Sequence, residues 1–147
     1  MKIILASILL VACTSAKAPP AQDNTVGIAG AHRASTSEYD TCVAVHTRAR
    51  ACTDAYIPAL VDARARHDKP AGIAAKVAAD RDGIIASAKE EWAGDSTDGG
   101  IAMMCQRITA NLSDQDRADI PVAASCLEQQ DCNAFASCFV PLIEKHL

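Results

Sequence analysis

Aromatic side chains are scarce in this chain. One Trp, two Tyr and two Phe make up 3% of its 147 residues. Elements built from such a chain bury little apolar area per residue, so a large self-sufficient core is not expected. Strong charge of either sign is also missing. Lys and Arg number 14, Asp and Glu 18, and the net charge is −4. That balance is not basic enough for electrostatic binding of nucleic acid. With half the residues apolar, it is also unlike the composition of a wholly disordered chain. No apolar run approaches the roughly 20 residues that span a bilayer. The sequence holds no G-x-x-x-x-G-K phosphate loop, no G-x-G-x-x-G, no H-E-x-x-H and no G-x-S-x-G. It also lacks the C-x-x-C-H needed to attach a c-type haem and the C-x-x-C of thiol oxidoreductases.

What is present is alanine and cysteine. Thirty alanines make up about a fifth of the chain, and seven cysteines are many, and odd in number, for this length. The length suits one domain plus a tail and is short for most catalytic folds. The N-terminus has one positive charge at Lys2, followed by the ten mostly apolar residues Ile3 to Ala12. This has the charge and apolar length of a secretory signal, and it is too short to span a membrane. Ala16-Lys17-Ala18 has the A-x-A form of an ordinary cleavage site. A cut there would leave Pro19 first, which disfavours it, and it lies six residues past the apolar run.

Leu10-Val11-Ala12-Cys13 resembles the lipobox of bacterial lipoproteins. The processing chemistry needs a small residue before the cut and a thiol after it to accept a diacylglycerol. The resemblance implies a signal peptide over 1–12, removed in the mature protein, and lipidation at Cys13. Thr14 follows the cysteine where Asp would imply inner-membrane retention, so the resemblance implies the outer membrane, facing the periplasm or the surface. Each buried CH₂ of an acyl chain contributes about 0.8 kcal/mol, and several chains together hold a protein stably. The expected partners are the membrane, through that lipid, and an envelope protein. No nucleic acid and no cofactor are expected.

Residues 13–36 read as the lipidated cysteine and a disordered linker. Pro19-Pro20, Gly27 and Gly30 punctuate a segment whose only sizeable apolar residues are Val26 and Ile28. A flexible tether of that length reaches about 25 Å. Residues 37–147 read as an all-α domain, a bundle of four to five helices stapled by up to three disulfides.

The periodicity of this domain is helical throughout. Ser35 to Glu38 has capping-box spacing. Tyr39, Cys42, His46, Ala49, Tyr56, Leu60 and Ala63 form one helical face, with a kink or break expected near Ile57 from Pro58. Asp68 and Pro70 predict the start of a second helix, with the stripe Ile73, Val77, Ile84, Ala88 and Trp92. Gly94 to Gly100 is the clearest loop. A third helix carries Ile101, Met104, Cys105, Ile108 and Leu112. Ser113 to Asp116 suggests a cap for a fourth, which includes Pro121. Asp131 is the expected N-cap of a last helix with Phe135, Cys138, Phe139 and Leu142, kinked by Pro141.

Setting Cys13 aside leaves Cys42, Cys52, Cys105, Cys126, Cys132 and Cys138. Three disulfides among them would supply about 2–4 kcal/mol each, a useful supplement to a thin core. Fifteen pairings are open. A link from Cys42 and Cys52 to the C-terminal cluster is expected, and a break at Asp131 would let Cys126 and Cys138 meet different neighbours. The run from Cys126 to Leu142 resembles a pattern of small cysteine-rich helical lipoproteins of Gram-negative bacteria, a resemblance that implies no activity.

The competing reading is a soft-metal carrier or sensor for copper or zinc. Cys42 and His46 share a helical face at i,i+4, and Met103, Met104 and Cys105 would add sulfur donors. Against it stand the absence of any C-x-x-C pair and the consumption of thiols by disulfides. Asp80, Asp82 and Gly83 have an EF-hand flavour, but Ala78 and Lys89 occupy positions that need ligands. No catalytic residues are assigned. The expected function is therefore non-enzymatic: a membrane-anchored helical module for binding or envelope assembly.

Overall fold

The computed structural model describes residues 36–147. The signal peptide, Cys13, the linker, His32 and the Ser35 cap lie outside the described residues. Within them the chain is helical without strands. The six helices are α1 (Thr36–Ala51), α2 (Thr53–His67), α3 (Ile73–Asp95), α4 (Asp98–Thr109), α5 (Asp114–Cys126) and α6 (Cys132–Glu144). The all-α class and the three disulfides are as expected; the helix count is one higher.

The additional helix arises because the first long stripe is broken at Cys52 and not at Pro58. Cys52 leaves helical geometry at φ −106°, ψ 24°. Its N–H is shared between the carbonyls of Arg48 and Ala49, and the Thr53 hydroxyl donates to the Arg50 carbonyl at 2.7 Å. Pro58 sits inside α2 without ending it. The N–H that proline lacks would have served the Asp54 carbonyl, in the exposed first turn, where water can replace it.

Asp68 ends α2 in left-handed geometry at φ 48°. Its backbone N–H donates to the Ala65 carbonyl while its carboxylate accepts from the Ala74 N–H at 3.0 Å, so one residue serves the end of α2 and the start of α3. Helix α3 therefore begins at Ile73, later than Asp68 and Pro70 predict. It changes direction at Asp80, where φ −154° and ψ 76° are non-helical. There the Asp80 carboxylate accepts from the Gly83 N–H at 2.9 Å. The residues of the EF-hand-like run thus form an internal helix cap. Ile85 is the fully buried residue of α3, and Val77, Ile84, Ala88 and Trp92 of the expected stripe pack partly buried against the same core.

The glycine-rich stretch contracts to a tight junction, since only Ser96 and Thr97 separate α3 from α4. A Cβ on Gly100 would lie 2.0 Å from the Asp95 carbonyl oxygen, so glycine serves close approach here and not flexibility. The Thr97 hydroxyl caps α4 by accepting from the Gly100 N–H at 3.1 Å. In α4 the buried face is Ile101, Cys105 and Thr109, while Ile108, expected inside, turns outward. Both expected downstream caps are present. Ser113 and Asp116 form a reciprocal capping box on α5, and Asp131 accepts from the N–H groups of Asn133 and Ala134 on α6. Helices α5 and α6 continue through Pro121 and Pro141.

Helix α2 packs chiefly on α3 and α6, and α1 on α4 and α5. The larger core holds Val45, Ala49, Tyr56, Ile57, Val61, Phe135, Phe139 and Val140. Four of the five aromatics are pooled there. Phe139 stacks on Phe135 at 5.5 Å and Tyr56 at 6.1 Å, and Tyr56 reaches Trp92 at 5.5 Å. Such pairs add about 0.5–1.5 kcal/mol each beyond their buried area. A second, smaller cluster of Cys42, Ile101 and Cys105, flanked by Tyr39 and Val43, joins α1 to α4.

Candidate functional site

All six cysteines of the described domain are paired, as Cys42–Cys105, Cys52–Cys132 and Cys126–Cys138, with Cα separations of 5.7, 5.2 and 5.6 Å. Cys52 joins the C-terminal cluster as expected. Cys42 does not; its partner is Cys105. Cys126 and Cys138 meet each other and not different neighbours, because the turn before Asp131 folds α6 back on α5. The bridges close loops of 63, 80 and 12 residues. Chain-entropy arithmetic gives roughly 4, 4.5 and 3 kcal/mol for these lengths.

One histidine lies against a disulfide. His46 Nδ1 is 3.6 Å from Cys42 Sγ and 3.9 Å from Cys105 Sγ. One turn of α1 sets the first contact, and the packing of α4 on α1 sets the second. The same nitrogen lies 2.9 Å from the Cys42 carbonyl oxygen, to which it donates. Phe139 fixes the other side of the ring edge-on, with centroids 5.8 Å apart. Burial lowers the pKa of His46 below the usual histidine value, and the bond to the Cys42 carbonyl partly opposes that shift. The ring is therefore a neutral imidazole at pH 7.

Cys42, His46 and Cys105 place their donor atoms within 4.8 Å of one another, the grouping of that kind among the described residues. Of the methionines in the expected soft-ligand set, Met103 is turned away from it and is 57% exposed, and Met104 is partly buried. As long as the disulfide is intact, the two sulfurs are not available as thiolates.

Elsewhere, titratable groups pair as ion clusters. The Arg66 guanidinium makes two contacts to the Glu144 carboxylate, each 3.0 Å, and His67 Nε2 meets the same carboxylate at 2.9 Å. Arg48 lies over Phe135, 6.0 Å from the ring centroid, and donates to the carbonyls of Gln129 and Gln130 beyond α5. Arg50 donates to the Ser96 carbonyl at 2.7 Å and pairs with Asp98 at 2.8 Å, fixing the α3–α4 junction to α1. Glu38 pairs with Arg117 at 2.6 Å, tying α1 to α5. None of these long-range pairs has a signature in the sequence, because each joins residues far apart in the chain.

Ser113, Asp116 and His146 come closest to a hydrolytic constellation. Ser113 Oγ is 2.6 Å from Asp116 Oδ2, and His146 Nδ1 is 3.4 Å from Asp116 Oδ1. The carboxylate sits in the middle, so the imidazole does not reach the hydroxyl, and a serine nucleophile needs the opposite order. An open groove of about 510 Å³ lies over the Cys52–Cys132 bridge and is lined by Arg50, Thr53, Asp54 and Asn133. It contains no histidine. Among the described residues no helix is long and apolar enough to cross a membrane.

No family profile, curated protein or solved structure matches the chain significantly.

Proposed function

We propose that the chain is a lipid-tethered cell-envelope module that works by binding or assembly and not by catalysis. The observation that carries this reading is the division of its cysteines. Three disulfides occupy six of the seven, and the one left over is Cys13, the residue of the lipobox-like Leu10-Val11-Ala12-Cys13. Disulfides persist in oxidising compartments, which agrees with export by a signal over 1–12. The domain then needs only a tether, which residues 13–36 supply, and an acylated Cys13 attaches it to the outer membrane. Among the described residues the surface offers ion-paired helices and open grooves, without a nucleophile and base in register.

Intact mass spectrometry of the membrane-extracted protein tests the reading. The expected mass is that of a chain beginning at Cys13 with added acyl groups and six fewer hydrogens than the reduced form. Cys13→Ser is expected to move the protein to the soluble fraction. An unacylated chain cut after Ala18 would overturn the anchor. Turnover of an envelope substrate by the oxidised protein, abolished by a point mutation, would overturn the non-catalytic assignment. Crosslinking in cells then identifies the envelope partner.

A further inference from the structure

The geometry points to a redox-gated zinc site formed by Cys42, His46 and Cys105, closed in the disulfide state and opened by reduction. The inference rests on the described domain alone and is independent of how the chain is anchored.

The donor positions are already close to those that a tetrahedral metal needs. Zinc binds thiolate at about 2.3 Å and imidazole at about 2.0–2.1 Å, so a tetrahedral angle places nitrogen and sulfur about 3.6 Å apart. His46 Nδ1 lies 3.6 and 3.9 Å from the two sulfurs. Two thiolates on one tetrahedral zinc sit about 3.8 Å apart by the same arithmetic, so the sulfurs need only part from bonded contact. Nothing has to be recruited from a distant element. The i,i+4 spacing on α1 positions two ligands, and Cys105 on α4 arrives with the packing of Ile101 and Tyr39.

The chemistry balances as follows. An external dithiol gives two electrons to the Cys42–Cys105 bond. That bond breaks, two thiols form, and the donor closes its own disulfide. Zinc then displaces both thiol protons, which leave to solvent, and takes the Nδ1 lone pair of His46. The imidazole proton now at Nδ1 shifts to Nε2. The Cys42 carbonyl keeps its bond from the His46 backbone N–H, the i to i−4 bond of α1. The neutral ring needed for ligation is held edge-on by Phe139. Three protein ligands leave a fourth position for water, the composition of an open zinc site. Disulfide and metal use the same two sulfurs, so each state excludes the other, and either one staples α4 to α1.

The test uses the full chain with Zn²⁺ alone as probe, competed against a chromogenic chelator before and after reduction with a phosphine. Co²⁺ in a parallel arm reports thiolate-to-metal charge transfer. The expected result is one zinc per reduced chain and none in the oxidised chain. Cys42→Ser/Cys105→Ser, which retains the other four thiols, is expected to abolish uptake. His46→Asn is expected to weaken it by about tenfold or more, since even an outer-shell partner is worth that much. Should reduction lower the helical circular dichroism, one equivalent of zinc is expected to restore it. Failure of the reduced chain to take up zinc would overturn the site. Undiminished uptake by Cys42→Ser/Cys105→Ser would assign the metal to the other thiols and overturn it equally. Unchanged affinity in His46→Asn, with its helical content intact, would remove the histidine from the ligand set.

Discussion

Arg66 and Glu144 face each other in a two-point guanidinium–carboxylate pair that joins the end of α2 to the end of α6. The Arg66 contacts hold the Glu144 carboxyl below its ordinary value of 4.5, with a further contribution from His67. A carboxyl depressed in the fold binds its proton later than it does in the unfolded chain. Its stabilising contribution is therefore complete above 4.5 and is lost as pH falls through the lower folded value. Glu144→Gln is expected to lower the urea midpoint at pH 7, and the gap from wild type is expected to narrow below pH about 4. A gap that stays constant with pH would disprove the assignment.

Helix α4 is joined to α1 by a small cluster in which two of the three buried members are the bridged cysteines. Cys42→Ser/Cys105→Ser is expected to cost about 2–5 kcal/mol, the usual loss for a native disulfide. The loss should be local first. Hydrogen exchange is expected to accelerate in α4 before it does in α2 or α6, because those helices share the larger core. Uniform acceleration across all helices would contradict the two-cluster description.

Asp131 caps α6 by accepting from two backbone N–H groups, Asn133 and Ala134, both at 2.9 Å. Removing that acceptor leaves both donors to solvent at the helix start. Asp131→Ala is expected to cost about 1 kcal/mol in chemical denaturation. Asp131→Asn, which keeps an acceptor oxygen, is expected to recover most of the loss.

Phe139 is the hub of the aromatic cluster, touching Phe135, Tyr56 and the edge of His46. Phe139→Ala is expected to destabilise by about 3–5 kcal/mol, since the cavity adjoins side chains from three helices. Phe139→Leu should cost distinctly less. Near-ultraviolet circular dichroism is expected to weaken as well, because Tyr56 loses one wall of its packing. A loss of under 1 kcal/mol would place the core elsewhere.

What was legible in the sequence was local. Asp131 and the Ser113/Asp116 box announce helix starts within four residues of themselves, and both act as read. The i,i+4 relation of Cys42 and His46 is likewise a property of one helix. Features that depend on a distant partner were not legible. The partner of Cys52, at the break between α1 and α2, is Cys132, 80 residues away. Met103 turns to solvent because α4 presents Ile101, Cys105 and Thr109 to α1. Gly94 to Gly100 read as a loop, yet Gly99 and Gly100 lie in the first turn of α4, and Gly100 is set by a carbonyl 2.0 Å from where its Cβ would be.

The bridges Cys42–Cys105 and Cys52–Cys132 interleave along the chain, and Cys126–Cys138 overlaps the end of the second. Every peptide bond between Cys42 and Cys138 is therefore spanned by at least one disulfide. A single proteolytic nick anywhere in that interval releases no fragment, and the two pieces stay covalently joined until they are reduced. A protein exposed to proteases can thus be cut once in that interval and remain assembled.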